Sequence, residues 1–167
     1  MYQRFSGVLF GICLRYVRNR AEAEDLLQEA FIKIFSRLDS FGFKGSFEGW
    51  LKRLVVNLAI NFRRDNLKLL FVSTRADLPE PENDEETDSA EMISLPQQKL
   101  LQMIQSLPDG YRLVFNLYVF ENLSHQQIAG MLEISENTSK TQLMKARKKL
   151  KNMVEAELAQ QHISVKS

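Results

Sequence analysis

Asn137, Thr138, Lys140 and Thr141 lie within five consecutive residues and together hold the donors and acceptors that reading a DNA groove requires. Amides and hydroxyls exchange hydrogen bonds with base edges, while a lysine reaches both bases and phosphates. Lys148 adds a second cation about two helical turns further on. Such chemistry needs a rigid carrier, and the flanking residues supply one. Ser124 and Gln127 have the spacing of a capping box, which starts a short helix with Ile128, Ala129 and Leu132 turned inward. A tight turn follows at Glu133, a place where glycine would adopt positive φ without steric cost. Ser135 caps the next helix. Its Ser139, Leu143, Ala146 and Leu150 share an inner face, which leaves Asn137, Lys140, Thr141, Met144 and Lys148 outward. Short helix, turn and a second helix bearing amides and cations make a helix-turn-helix, the geometry that enters a major groove. An antiparallel helix pair with a merely solvated basic face would leave the same pattern.

No rival chemistry is visible. Cys13 is the sole cysteine and His125 and His162 are the two histidines, so neither an intrachain disulfide nor a Cys/His zinc pattern can be assembled. No nucleophile, base and orienting group recur together, so no catalytic residue, metal or cofactor is expected. The longest apolar runs fall far short of the ~20 residues of a membrane-spanning helix. The apolar stretch from Val8 to Leu14 has no small-residue cleavage site after it. A cytoplasmic location without membrane insertion is expected.

The net charge of +1 hides a strong segregation. Asp77, Glu80, Glu82, Asp84, Glu85, Glu86, Asp88 and Glu91 crowd one stretch free of Lys and Arg, so 22 basic residues face 13 acids in the remainder. Two basic bodies flanking an acidic connector suit polyanion binding by the bodies. The hydropathy pattern agrees. Val8, Leu9, Ile12, Leu14 and Tyr16 suit a mostly buried helix that Asn19 interrupts. Ala23, Leu27, Ala30, Phe31, Ile34 and Leu38 then repeat at helical spacing, with Glu24, Asp25, Gln28, Glu29 and Lys33 opposite. Asp39 to Gly45 is too irregular for either period and reads as a loop presenting Phe41 and Phe43. Ser46 can cap a third helix carrying Phe47, Trp50, Leu51, Leu54, Val55, Leu58 and Ile60, on which the spacing of Trp50 with Leu54 and Leu58 places the indole in the core.

Residues 71–95, with Pro79, Pro81 and the acids, have too few periodic apolar residues to bury a core. Helical pattern returns after Pro96 with Leu100, Leu101, Ile104 and Leu107, and Pro108 starts the next helix. Val114, Phe115, Leu117, Tyr118 and Val119 continue the core up to Asn122, which suits a left-handed cap. The expected fold is all-α: two small helical domains, 1–70 and 96–155, joined by a flexible acidic linker at 71–95 and followed by a tail at 156–167.

The two halves resemble regions two and four of the extracytoplasmic-function (ECF) sigma factors, small promoter-recognition subunits of bacterial RNA polymerase. In the first half the resemblance rests on Ala23-Glu24-Asp25-Leu26-Leu27-Gln28-Glu29-Ala30-Phe31, Phe47-Glu48-Gly49-Trp50-Leu51, Asn57 and Arg63-Arg64. In the second it rests on Leu107-Pro108, Arg112-Leu113-Val114-Phe115, Leu123-Ser124, Ile128-Ala129, Ile134-Ser135, Thr138 and Lys145-Ala146-Arg147-Lys148-Lys149-Leu150. Both halves in this order make a specific signal. The resemblance implies that Asp25, Leu26, Gln28 and Glu29 dock on the clamp helices of the polymerase core. It implies that Phe41, Phe43, Lys44, Asn57, Arg63 and Arg64 meet the −10 promoter element, where strand opening must catch an unstacked base. Arg112, Asn137, Thr138, Lys140, Thr141, Lys145 and Lys148 are implied at the −35 element, the linker on a path towards the RNA channel, and an anti-sigma protein as a partner. Three departures stand out: Glu133 for the usual Gly, Ser139 for an aliphatic residue, and Thr141-Gln142 for Ser-Arg, which removes one expected cation. The competing class is a conventional dimeric helix-turn-helix regulator, in which the first domain would dimerise or bind an effector.

Overall fold

The computed structural model describes residues 2–62 and 95–166, so the Arg63–Arg64 pair and the acidic stretch of the linker lie outside the described residues. The chain divides into two compact units, Met1–Lys68 and Leu69–Ser167. Among the described residues there are seven α-helices and no strand. None of these helices is long and apolar enough to cross a membrane.

The first unit packs α1 (Tyr2–Tyr16), α2 (Arg20–Arg37) and α3 (Phe47–Phe62) against one another, with a 3-10 turn at Leu38–Ser40 closing α2. Asn19, where the helical pattern breaks, is the N-cap of α2: its side-chain oxygen accepts from the Glu22 amide at 2.9 Å. The Glu22 carboxylate in turn accepts from the Arg18 amide at 3.0 Å. Ser46 caps α3 as its position suggests, its hydroxyl accepting from the Gly49 amide at 3.3 Å. On α2 the buried stripe is Ala23, Leu26, Ala30, Phe31 and Ile34, with Leu27 half-buried at its flank. Leu26 therefore holds the inward place that spacing assigns to Leu27. Positions three and four after Ala23 are both on the correct face of a 3.6-residue helix, and the packing of α1 and α3 selects between them.

The second unit contains α4 (Gln97–Ser106), α5 (Asp109–Val119), α6 (His125–Leu132) and α7 (Glu136–Lys166). α5 is its centre: Leu113 through Leu117 are all buried, and the helix packs on both α6 and α7. Pro108 stands at its N-cap. Asn122 adopts positive φ (54°), and the Leu123 amide returns to the Leu117 carbonyl at 3.1 Å, which satisfies a carbonyl left over at the end of α5. α7 buries Ser139, Leu143, Ala146, Leu150 and Val154. The segment expected as a tail continues this helix to Lys166, with residues 159–166 exposed.

Candidate nucleic-acid interface

The helix-turn-helix is built by local hydrogen bonds. The Ser124 hydroxyl accepts from the Gln127 amide at 3.1 Å, and the Gln127 side chain accepts from the Ser124 amide at 2.9 Å, which completes the capping box. α6 ends at Glu133 in the left-handed conformation (φ 56°, ψ 43°), with the Ile134 amide bonded back to the Ala129 carbonyl at 3.1 Å. A non-glycine residue pays roughly 1 kcal/mol for that conformation. Ser135 caps α7 through the Thr138 amide at 3.0 Å.

The outward face of α7 presents Asn137, Lys140 and Lys148 to solvent, with Lys145 half-buried beside them. Four other residues of the expected sites are buried in the folded chain. Arg112 is 2% exposed, and its guanidinium donates to Asp109 Oδ1 (2.8 Å) and to the carbonyls of Ile104 (3.3 Å), Gln105 (3.0 Å) and Leu107 (2.6 Å). It clasps the end of α4 to the start of α5, and the guanidinium is engaged within the second unit. Thr141 is 1% exposed, because it lies on the edge of the face that packs inward alongside Gln142. Thr138 is buried and its hydroxyl is 2.8 Å from that of Ser135, within the cap. The fourth, Leu26, is the core residue of α2 described above. Its side chain packs in the core of the first unit.

Ser139 has a partner that spacing does not reveal. Its fully buried hydroxyl lies 2.8 Å from Nδ1 of His125, the first residue of α6. The imidazole stacks on Tyr118 of α5 (centroids 4.7 Å apart, 22° between planes), and the Arg147 guanidinium lies 5.5 Å from the centre of the Tyr118 ring. Burial first, then the charges of Lys140 and Arg147, holds the His125 ring below its ordinary pKa, and Glu136 opposes them.

In the first unit, the loop before α3 carries a surface aromatic cluster. Phe41 packs on Phe47 (5.2 Å), Trp50 (5.3 Å) and Phe43 (5.4 Å), and Trp50 stacks on Phe47 at 5.7 Å. Trp50 is half-buried in this cluster, where its spacing places it in the core. Phe47, three residues earlier, draws the indole to the flank of the helix. Phe43 is 90% exposed and holds positive φ (53°), and Gly45 does so at 86°. Lys44 and Asn57 are exposed. Lys52, a further basic residue of α3, is paired with Glu48 at 2.8 Å, which lowers the Glu48 pKa, whereas Arg53 is exposed.

Across α2, Asp25, Gln28 and Glu29 are exposed on one stripe, and the same stripe continues into Ile32 (70% exposed) and Phe35 (55%). These two apolar residues escape a reading of the polar face alone. Their signal is in the sequence nonetheless, since they fall at helical spacing from Asp25 and Gln28, off the inward stripe. Among the described residues no group of three or more His, Cys, Asp or Glu side chains is placed to hold a metal ion.

Residues 1–68 match the family model for sigma-70 region 2, and residues 97–150 match that for sigma-70 region 4. The chain is 30% identical over 166 residues to the ECF RNA polymerase sigma-E factor of Escherichia coli K12, covering 91% of this chain and 83% of that protein. It is 31% identical over 164 residues to the ECF RNA polymerase sigma factor SigW of Bacillus subtilis, with coverage of 90% and 84%. Among solved structures, the fold is similar to that of the sigma factor RpoE, crystallised with the anti-sigma factor NepR, from Bartonella quintana. The TM-score is 0.55 at 17% identity, over 92% of this chain and 94% of that one. Two sigma regions in order, with relatives matched over more than four fifths of their length, place this chain in the ECF family of RNA polymerase sigma factors.

Proposed function

We propose that this sigma factor grips polymerase core through the exposed stripe of α2, with Asp25, Gln28 and Glu29 as its polar part and Ile32 and Phe35 as its apolar part. Exposed apolar side chains on a charged helix face are the kind of anchor that a protein interface desolvates, and the polar residues set its register. The loop residues Phe41, Phe43 and Lys44, with Asn57 and the Arg63–Arg64 pair, meet the −10 element. Unstacking a base there costs a few kcal/mol, and aromatic and amide groups offset part of it. Asn137, Lys140, Lys145 and Lys148 of α7 meet the −35 element. Phosphodiester chemistry stays with the polymerase, and this chain contributes binding and positioning without a catalytic site. An anti-sigma protein is the regulator that the family reading implies.

The observation that carries this reading is the presence in one chain of both surfaces: an apolar-ended acidic stripe on the first unit and a cation-amide face on a capped recognition helix of the second. The test is transcription by purified core polymerase with and without this protein on genomic DNA, which is expected to yield transcripts from a defined promoter set. Asp25→Ala combined with Gln28→Ala is expected to reduce core binding in a pull-down while leaving the circular dichroism spectrum unchanged. Lys140→Ala is expected to lower the salt slope of −35 binding by about one unit. Failure to bind core at low salt, or light scattering that shows a dimer on a palindrome, would overturn the sigma reading in favour of a conventional regulator.

A further inference from the structure

We propose that His125 is a proton-linked positioning residue of the recognition helix, holding α7 to α6 in both of its charge states and adding a cation to the DNA-facing surface when it takes up a proton. The inference rests on the reading of α7 as the helix that contacts DNA. One imidazole ties three helices together: it opens α6, stacks on Tyr118 of α5 and lies at 2.8 Å from Ser139 Oγ of α7. Ser139 is fully buried and is followed directly by Lys140, which is exposed. The position of this serine fixes where the neighbouring lysine emerges.

The hydroxyl is the feature that allows two charge states. A serine oxygen can donate or accept, so neutral His125 can exchange one hydrogen bond with it in either tautomer. The imidazolium, with both ring nitrogens as donors, gives its Nδ1 proton to the same oxygen. A carbonyl in that place would only accept. Protonation therefore changes charge without releasing the contact.

The groups around the ring set the direction. Tyr118 faces it from α5, and Lys140, Arg147 and Glu136 act on it from α7. In the free protein, burial and the two cations disfavour the imidazolium. DNA phosphates docked on Lys140 cancel part of that positive potential, so the imidazolium is better tolerated in the complex than in the free protein. A group that gains protons on binding makes binding tighter as pH falls. At high pH the ring is neutral in both states and contributes nothing. The gain begins as pH drops through the range where the complexed ring titrates, and it levels off once the free ring is also charged.

The test is fluorescence anisotropy of the full chain on a duplex selected from a random pool, at constant ionic strength. Affinity is expected to rise roughly three- to tenfold between about pH 7.5 and about pH 5.5, tenfold corresponding to a one-unit change on binding. His125→Gln keeps a hydrogen-bonding group opposite Ser139 but can neither titrate nor stack on Tyr118, and it is expected to bind with an affinity that no longer changes over this pH range. His125→Ala is expected to bind more weakly at every pH. Proton NMR of the ring is expected to show His125 titrating at higher pH with the duplex than without it. A His125→Gln variant that retains the slope, or a His125 resonance that titrates identically with and without DNA, overturns the proposal. Failure of the underlying reading looks different: Lys140→Ala then leaves affinity and salt slope unchanged, which removes α7 from the DNA and this proposal with it.

Discussion

Arg112→Ala asks whether a cation that the family resemblance puts on DNA instead holds the second unit together. The side chain is 2% exposed and donates to one carboxylate and three carbonyls, and the side chain of Asp109 is itself only 4% exposed. Two of those carbonyls belong to the last turn of α4, and that of Ile104 also accepts from the Leu107 amide at 3.2 Å. Truncation takes the guanidinium away from both and from a buried carboxylate. Four bonds do not add independently, and removing one partner of a buried ion pair costs about 3–5 kcal/mol. That is a large share of the stability of a small domain. The chain has a single tryptophan, Trp50 in the first unit, so its fluorescence follows that unit during urea unfolding while far-ultraviolet circular dichroism follows both. Arg112→Ala is expected to shift the dichroism transition of the second unit to lower urea and to leave the Trp50 transition in place. Arg112→Lys keeps the charge without the planar fork and is expected to fall between the two. Unchanged unfolding combined with weaker DNA binding would refute the buried clasp and return Arg112 to the DNA surface.

Leu26→Ala, at a fully buried position of α2, is expected to destabilise the first unit by roughly 2–5 kcal/mol in the Trp50 transition, unlike the exposed Asp25→Ala. Equal stability of the two variants would contradict the packing of α2. Glu133→Gly relieves a left-handed non-glycine residue at the end of α6 and is expected to stabilise the second unit by about 0.5–1 kcal/mol in thermal melts, after the greater chain entropy of glycine is allowed for. A lower melting temperature would count against it. Burial pushes the Cys13 thiol up to about 12, so it stays protonated at mildly alkaline pH. An aromatic disulfide reagent is expected to label it only after unfolding, and rapid labelling of the native protein would contradict the burial.

The local features of this fold were legible without coordinates. The capping box at Ser124 and Gln127, the caps at Ser46 and Ser135, and the positive φ of Asn122 and Glu133 are all set within a few residues of chain. The family motifs likewise lie in contiguous stretches, which is why both sigma regions could be seen. Tertiary structure decided what period alone leaves open. Leu26 and Leu27 are both acceptable inward positions, and packing by α1 and α3 chose the first. Trp50 shares a helical row with Leu54 and the buried Leu58, yet it stands half-buried against Phe41 and Phe47. Arg112 and Thr141 have side chains typical of a DNA contact, but the end of α4 captures one and the packed face of α7 encloses the other. Period alone puts Ser139 on the inner face, and its hydrogen-bond partner there, His125, comes from 14 positions away. Caps and turns are governed by bonds between near neighbours, which sequence contains. Which side chain is buried at the edge of a helix face depends on what other helices bring to it, which only the folded chain determines.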